Sequence, residues 1–290
     1  MCSSDLGGGT DIGTRIVAQK LSQLWGQSVV VDNKGGAGGN LGLEVVSRAK
    51  PDGYTLLTGN VGTQSINPTL YKKLNYNPDT AFTPIGLFAE LPFVLAVNAN
   101  FPAKNVAELV EYAKKNQDKM SYGSAGTGSA THLACVVLDV AMGTHITHVP
   151  YRGTPEALTE TASGRIDWFF APLVSALPLI QSGRLQALAV STAQRSPLLP
   201  NVPSISEAGF ANAAYTFWVG LFVTAKTPKP IVQKLHAGVM SVLAMPDVKD
   251  RLEKLGAAAM PMQQDAFEKY LDAETLAAAQ LVKAAGIRIE

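Results

Sequence analysis

Ser28-Val29-Val30-Val31-Asp32, then Gly35-Gly36-Ala37-Gly38-Gly39-Asn40, an apolar-periodic run over 41–49, and finally Tyr54-Thr55-Leu56-Leu57-Thr58 make up the stretch that decides the fold. β-Branched residues in the first and last runs favour extended backbone, and the segment between them carries helical spacing. The unit reads as strand, glycine turn, helix, strand. Upstream, Ile12, Ile16, Val17, Leu21, Leu24 and Trp25 form one helical stripe that Gly26 ends. Downstream the alternation continues, with strands expected near 93–97, 121–123, 147–149, 166–170 and 186–191 and helices near 106–115, 130–142 and 155–163. Such alternation predicts an α/β protein with parallel sheets flanked by helices.

At 290 residues the chain is long enough for two α/β lobes. Two extended segments, 97–102 and 218–224, each followed by a proline-containing helix entry, read as paired crossings between them. Lobe one is then 1–97 plus 224–290 and lobe two is 98–223, with helices near 230–243, 246–255 and 264–285 returning to pack on lobe one. An α/β unit should place an apolar strand ahead of Gly7-Gly8-Gly9, and only Met1–Leu6 stands there, so the first strand reads as missing and the chain as truncated. Those residues also lack the basic and apolar regions of a secretion signal.

Composition narrows the function. Hydrophobic residues make up 47% against 16% charged, which suits a packed globular protein, and a formal charge of +1 without basic clusters argues against a nucleic-acid partner. No uninterrupted apolar run reaches the roughly 18 residues of a membrane span. Cys2 and Cys135 are far apart and fit neither a disulfide framework nor a zinc site. No cofactor or metal is expected.

Three glycine-rich turns precede helices. Gly7-Gly8-Gly9-Thr10-Asp11 brings open first-turn N–H groups to a place where small residues let a ligand approach, which is the chemistry of an anion site; Thr10 or Asp11 capping the helix is the plainer reading. Gly35–Asn40 fits neither a Walker loop nor a dinucleotide fingerprint and reads as close backbone packing. Ser121-Tyr122-Gly123-Ser124-Ala125-Gly126-Thr127-Gly128-Ser129 repeats the first pattern in the second lobe. Two helix N-termini facing across a cleft suit a ligand with a carboxylate at each end. Ser124 is outside any nucleophile elbow, and His132 reads as a core or hydrogen-bonding group. His145 and His148, three apart in a strand, point to opposite faces. Tyr151 and Arg152 end that strand where an aromatic and a guanidinium can meet a carboxylate, or simply form a surface loop.

In this order the motifs resemble the Bug-type (TctC-like) solute-binding proteins of tripartite tricarboxylate transporters. Pro51-Asp52-Gly53-Tyr54-Thr55-Leu56-Leu57, Val149-Pro150-Tyr151-Arg152-Gly153 and 200–209 add to the glycine loops, and the likeness covers nearly the whole chain. The resemblance implies a type II periplasmic binding-protein fold, two lobes around a ligand cleft. It implies ligand contacts at Gly8, Gly9, Thr10 and Asp11, at Thr58, Gly59 and Asn60, at Ser124, Ala125, Gly126, Thr127 and Ser129, and at Tyr151, Arg152 and Ala171. Where amino-acid-binding members place an aspartate, this chain has Ala171-Pro172, so the expected ligand is a mono- or dicarboxylate without an ammonium group. An aromatic acid also fits the reading, through Phe170, Tyr151 and Trp218.

The expected function is an extracytoplasmic, periplasmic receptor, monomeric and non-enzymatic, that hands its acid to membrane permease subunits. Two alternatives stay open: an enzyme on the same scaffold using Ser124 or Ser129 with His132, and a sensory domain that passes closure to a signalling partner.

Overall fold

The computed structural model describes residues 1–3 and 5–284. Its strands are β1 (Cys2–Ser3), β2 (Asp32–Asn33), β3 (Leu56–Asn60), β4 (Phe82–Leu91), β5 (Phe93–Asn98), β6 (Ser121–Ser124), β7 (Thr147–Pro150), β8 (Trp168–Pro172), β9 (Leu185–Val190), β10 (Phe217–Thr224) and β11 (Ala258–Ala259). Its helices are α1 (Gly9–Trp25), α2 (Asn40–Ser47), α3 (Asn67–Leu70), α4 (Val106–Asn116), α5 (Ala130–Met142), α6 (Thr154–Ser163), α7 (Leu173–Gln181), α8 (Lys229–Ala244), α9 (Pro246–Glu253) and α10 (Gln264–Ala284).

The described strands form two sheets, one in the order β11-β4-β10-β3-β1-β2 and the other β7-β6-β8-β5-β9. Both are mixed, which corrects the expectation of parallel sheets. β10 runs against β3 and β4, and β5 runs against β8 and β9. Parallel pairing is confined to β1 with β2 and β3, and to β6 with β7 and β8.

Pro92 explains where the chain changes sheets. Leu91 pairs with Phe217 in the first sheet, and Phe93 pairs with Pro172 in the second. Between them Pro92 has no N–H to give to either ladder, so one extended run is divided between two sheets. The return passes through Tyr215, whose N–H donates to the Ser191 carbonyl at 2.8 Å, into Phe217. The crossovers therefore lie side by side at 91–93 and 215–217. That moves the boundaries expected at 97/98 and 223/224, because β5 belongs wholly to the second sheet and β10 wholly to the first. Apolar extended character marked both strands, but only the proline marks the switch.

A second correction concerns the start of the chain. Cys2 and Ser3 fill the slot read as missing, pairing with Asp32 and Asn33 on one side and, through Cys2, with Leu57 on the other. The Asp32 N–H also donates to the Met1 carbonyl at 2.8 Å. A strand position is filled by backbone groups, so two residues without an apolar run suffice to bridge β2 and β3.

β10 is buried along its whole length. Its Trp218 and Phe222 meet Phe267 of α10 with ring centres 5.9 and 5.5 Å apart, which docks the last helix on the first sheet. In the second sheet every residue of β8 is buried, and Trp168 packs on Tyr122 of the neighbouring β6 with ring centres 5.0 Å apart. The packing around β10 leaves no space for an added methyl at Gly220, where a Cβ would stand 2.5 Å from the Phe267 ring. Gly220→Ala should lower stability by about 1–3 kcal/mol. A urea melt with an unchanged midpoint would show that α10 does not pack on the strand in this way.

Candidate functional site

The two sheets bring two helix N-termini to one cleft. α1 begins at Gly9 after an extended Gly8, with no side chain capping it, so its first-turn N–H groups are open toward the cleft. From the other lobe, Ser129 precedes α5 with its hydroxyl accepting from the His132 N–H at 3.2 Å. The cleft is lined by Gly9 and Thr10 of α1, by Ala125, Ser129, Ala130 and Thr131 at the start of α5, and by Asn60 at the end of β3. Gly38, Gly39, Asp5 and Pro172 complete the walls, and Phe93 and Phe217 form an apolar floor with ring centres 5.0 Å apart.

The walls are held by hydrogen bonds within each lobe. The Asn60 amide donates to the Thr10 hydroxyl at 3.1 Å, while its carbonyl accepts from the Thr63 N–H at 3.1 Å. Across the cleft, the Thr131 hydroxyl accepts from the Ala125 N–H at 2.9 Å and pairs with the Ser129 hydroxyl at 2.9 Å. None of the described lining residues is Lys or Arg. The positive field therefore comes from backbone N–H groups and helix dipoles, each terminus contributing about 0.3–1 kcal/mol for an anion and up to about 2 when partly buried.

The lobes also touch directly. The Tyr71 hydroxyl donates to the Thr127 carbonyl at 2.9 Å, and the Ser175 hydroxyl to the Gly7 carbonyl at 3.1 Å. Gly38, at φ +60°, comes so close that a Cβ would stand 2.6 Å from the Thr127 carbonyl oxygen. Only about 30 Å³ is enclosed between the lobes, room for a water molecule rather than an organic acid. A ligand enters only when the lobes part.

Of the residues expected at the site, Gly9, Thr10, Asn60, Ala125 and Ser129 line the cleft, and Gly8 sits immediately behind it. Asp11 turns away and organises the loop, accepting from the Gly7 N–H at 3.0 Å, the Asn33 amide at 2.9 Å and Arg15 at 3.0 Å. Thr58 and Gly59 lie inside β3, Gly59 against Phe222 and Gln64. Ser124 is buried, its hydroxyl 2.7 Å from His148 Nε2. Gly126 and Thr127 make the turn that meets Tyr71 and Gly38 rather than the cleft interior. Tyr151 is half-buried beside Gly123, and Arg152 is exposed with its N–H donating to Glu156. Ala171 is buried opposite Val94, and the next residue, Pro172, faces the cleft, as strand alternation requires. The aromatic residues expected near the ligand are also replaced: Phe93 and Phe217 line the cleft, while Phe170 and Trp218 lie in the core.

Asp5, from the segment left out of the expected fold, is the carboxylate among the described lining residues. It accepts from the Thr154 N–H at 3.0 Å and from the Thr154 hydroxyl at 2.6 Å, and burial raises its pKa above the usual carboxylate value.

Two of the four histidines form a stack outside the cleft. His132 and His148 lie with ring centres 4.0 Å apart, and Tyr122 packs on His148 at 5.2 Å. His132 Nδ1 accepts from the Gly128 N–H at 3.2 Å. Burial lowers the pKa of His132 to about 4, and burial together with His132 lowers that of His148 to about 3. Ser124 thus pairs with His148 and not with His132, and Ser129 serves as a helix cap. Among the described residues no carboxylate bonds to either ring, so the triad logic of a serine hydrolase has no orienting acid.

Two lobes on paired crossovers, with a helix N-terminus from each facing a shared cleft, define a solute-binding protein of the periplasmic binding fold. Residues 14–287 match the family described as tripartite tricarboxylate transporter family receptor, and the chain belongs to that family. It is similar to the periplasmic binding protein BugD, at 36% identity and a TM-score of 0.95 over 100% of this chain and 97% of that one. Rpa4515 of R. palustris, solved with adipate, is 32% identical with a TM-score of 0.95 over 99% of this chain and 96% of that one. MatC of Rhodopseudomonas palustris, solved with bound malate, is 33% identical with a TM-score of 0.92 over 97% of each chain.

Two outcomes follow from this geometry. Gly38→Ala places a methyl group against Thr127 only when the lobes are shut, so it should shift the protein toward an open form, read as a larger radius of gyration by small-angle scattering. An unchanged scattering curve would mean that this contact does not limit closure. The histidine pair should make the fold acid-sensitive. Their folded pKa values lie below the ordinary histidine value of about 6.5, so the unfolded chain takes up more protons as pH falls. Their contribution is intact above about pH 6.5 and is lost as pH drops toward the folded values. Between pH 7 and pH 5 this is worth at most about 2 kcal/mol per ring. His148→Phe keeps the stack and removes one titration, so its stability should fall less steeply with acid in urea melts run across that range.

Proposed function

We propose that this chain is an extracytoplasmic receptor that captures a small mono- or dicarboxylate lacking an ammonium group and presents it to membrane permease subunits of the tripartite tricarboxylate type. The observation that carries this reading is the meeting of the α1 and α5 N-termini over the Phe93–Phe217 floor. Each terminus offers N–H donors to one carboxylate, and the floor suits the methylene segment between two of them. The adipate and malate found with the two solved relatives fit the same picture.

Asp5 bears on the choice between a diacid and an amino acid. Both of its oxygens accept from Thr154, and burial favours the neutral carboxyl. With both oxygens engaged by Thr154 and burial disfavouring its charge, Asp5 is a weak counter-charge for an ammonium group. Pro172, the β8 residue on the cleft wall, supplies no such counter-charge either.

Binding needs no chemistry. The acid contacts both lobes at once, so its differential affinity favours the closed form, and closure presents the surface a permease reads. The periplasm is the compartment this role requires, and no helix among the described residues is long and apolar enough to cross a membrane.

Thermal-shift and calorimetric titrations with succinate, adipate, malate and aspartate test the reading. A diacid at 100 times its Kd should add about 2.7 kcal/mol of stability and be recovered unchanged. Binding of aspartate without binding of any plain diacid, or turnover of an acid, would overturn it.

A further inference from the structure

The loop that leads into α1 is held by the opposite lobe. Asp5 stands ahead of that helix in lobe one, and its carboxyl accepts from the N–H and the hydroxyl of Thr154, the first residue of α6 in lobe two, at 3.0 and 2.6 Å. α6 has no side-chain cap of its own, because the residue ahead of it is Gly153. An acceptor at a helix start satisfies N–H groups that otherwise turn to water. Here that acceptor comes from across the cleft, 149 positions away in the chain.

Both sides of the contact are shaped around the carboxyl. At Gly153 a Cβ would stand 2.8 Å from Asp5 Oδ1, so the glycine leaves the carboxyl its room. On the near side the Asp5 carbonyl accepts from the Gly8 N–H at 3.0 Å, which ties Asp5 to the start of α1. Ser175, in the first turn of α7, takes hold of the same loop by donating to the Gly7 carbonyl at 3.1 Å. Among the described side-chain hydrogen bonds between the lobes, those of Tyr71 and Ser175 are single bonds to a carbonyl, whereas Asp5 makes two through one carboxyl. Asp5 also lines the roughly 30 Å³ enclosed between the lobes, so the group that joins them stands in the space a ligand needs.

We propose that Asp5 is an autoinhibitory clasp, which holds the lobes shut around an empty cleft and has to release Thr154 before an acid can enter. Binding then competes with an internal contact, and the apparent affinity scales with the fraction of molecules in which the clasp is open. The consequence for ligand entry rests on the receptor reading above; the clasp itself rests on the contact between Asp5 and Thr154.

The first measurements are made without any acid. Asp5→Ala should raise the radius of gyration in small-angle scattering and speed amide exchange at residue 154 by about tenfold. Thr154→Val removes one of the two bonds from the other side and should shift both readouts by less, and it keeps the test open if the first variant folds poorly. The double variant should open no further than Asp5→Ala alone, since both changes remove one interaction. Stopped-flow mixing with succinate should then show association about tenfold faster in Asp5→Ala than in the unaltered protein. Scattering and exchange equal to those of the unaltered protein would overturn the clasp, and an opened empty form with an unchanged association rate would overturn its inhibitory role. If succinate binds to none of the forms, the receptor reading fails while scattering and exchange still decide the clasp.

Discussion

The ladder between β10 and β4 is what the rest of the molecule hangs on. It runs from Phe217 opposite Leu91 to Thr224 opposite Phe82, and at its upper end both chains leave for the second lobe. Pro92 breaks one chain out of the ladder, while Tyr215 anchors the other to Ser191. Two connections side by side permit a hinge motion but resist a twist, because sliding one relative to the other would break the pairing at 91 and 217. The stacked Phe93 and Phe217 at the exits also become the floor of the cleft. The element that joins the lobes therefore helps to shape the space between them.

In the proposed receptor, anion recognition depends on backbone more than on side-chain charge. The N–H groups at the starts of α1 and α5 are fixed by helix geometry, and Asn60, Thr10, Thr131 and Ser129 hold the loops around them. A Lys or Arg at the same place would bring a flexible charge whose ordering costs side-chain entropy. Fixed dipoles carry no such cost, and they leave ligand choice to the length and polarity of the space between the termini.

How much of this the sequence disclosed varies by element for physical reasons. α5 was legible to its ends, because Ser129 caps it and Gly143 takes the left-handed conformation after Met142. β5, β8 and β9 were legible because they are short and apolar, and β6 and β7 because turn residues bound them on the way into and out of helices. β4 was not, since Pro84, Gly86 and Glu90 interrupt its apolar pattern and its partners lie far away in sequence. α7 carries Pro178 and so hides its helical spacing. At the site, the glycine loops announced Gly9, Thr10, Ala125 and Ser129, whereas Phe93 and Phe217 looked like ordinary strand residues. Proline at 92 between two apolar runs was the available signal that these rings face the junction. Asp5 had no such signal, because its place depends on contact with Thr154 across 149 residues.

Gly38 shows how closure depends on what a residue lacks. Ala37, Gly38 and Gly39 all have positive φ, a backbone path that turns the loop's main chain toward the other lobe. Without a Cβ at Gly38, the Thr127 carbonyl comes within contact of that main chain, and Tyr71 donates to the same carbonyl from the side. A loop that reads in sequence as a place of close backbone packing thus serves as half of the latch between lobes. Its glycines are required by approach rather than by a ligand, and Gly38 and Gly39 line the cleft because the latch lies at its edge. Placing the latch beside the helix N-termini ties the two events together: the turn before α5 can meet Gly38 only when Ser129 and Thr131 have come up to face Gly9 and Thr10.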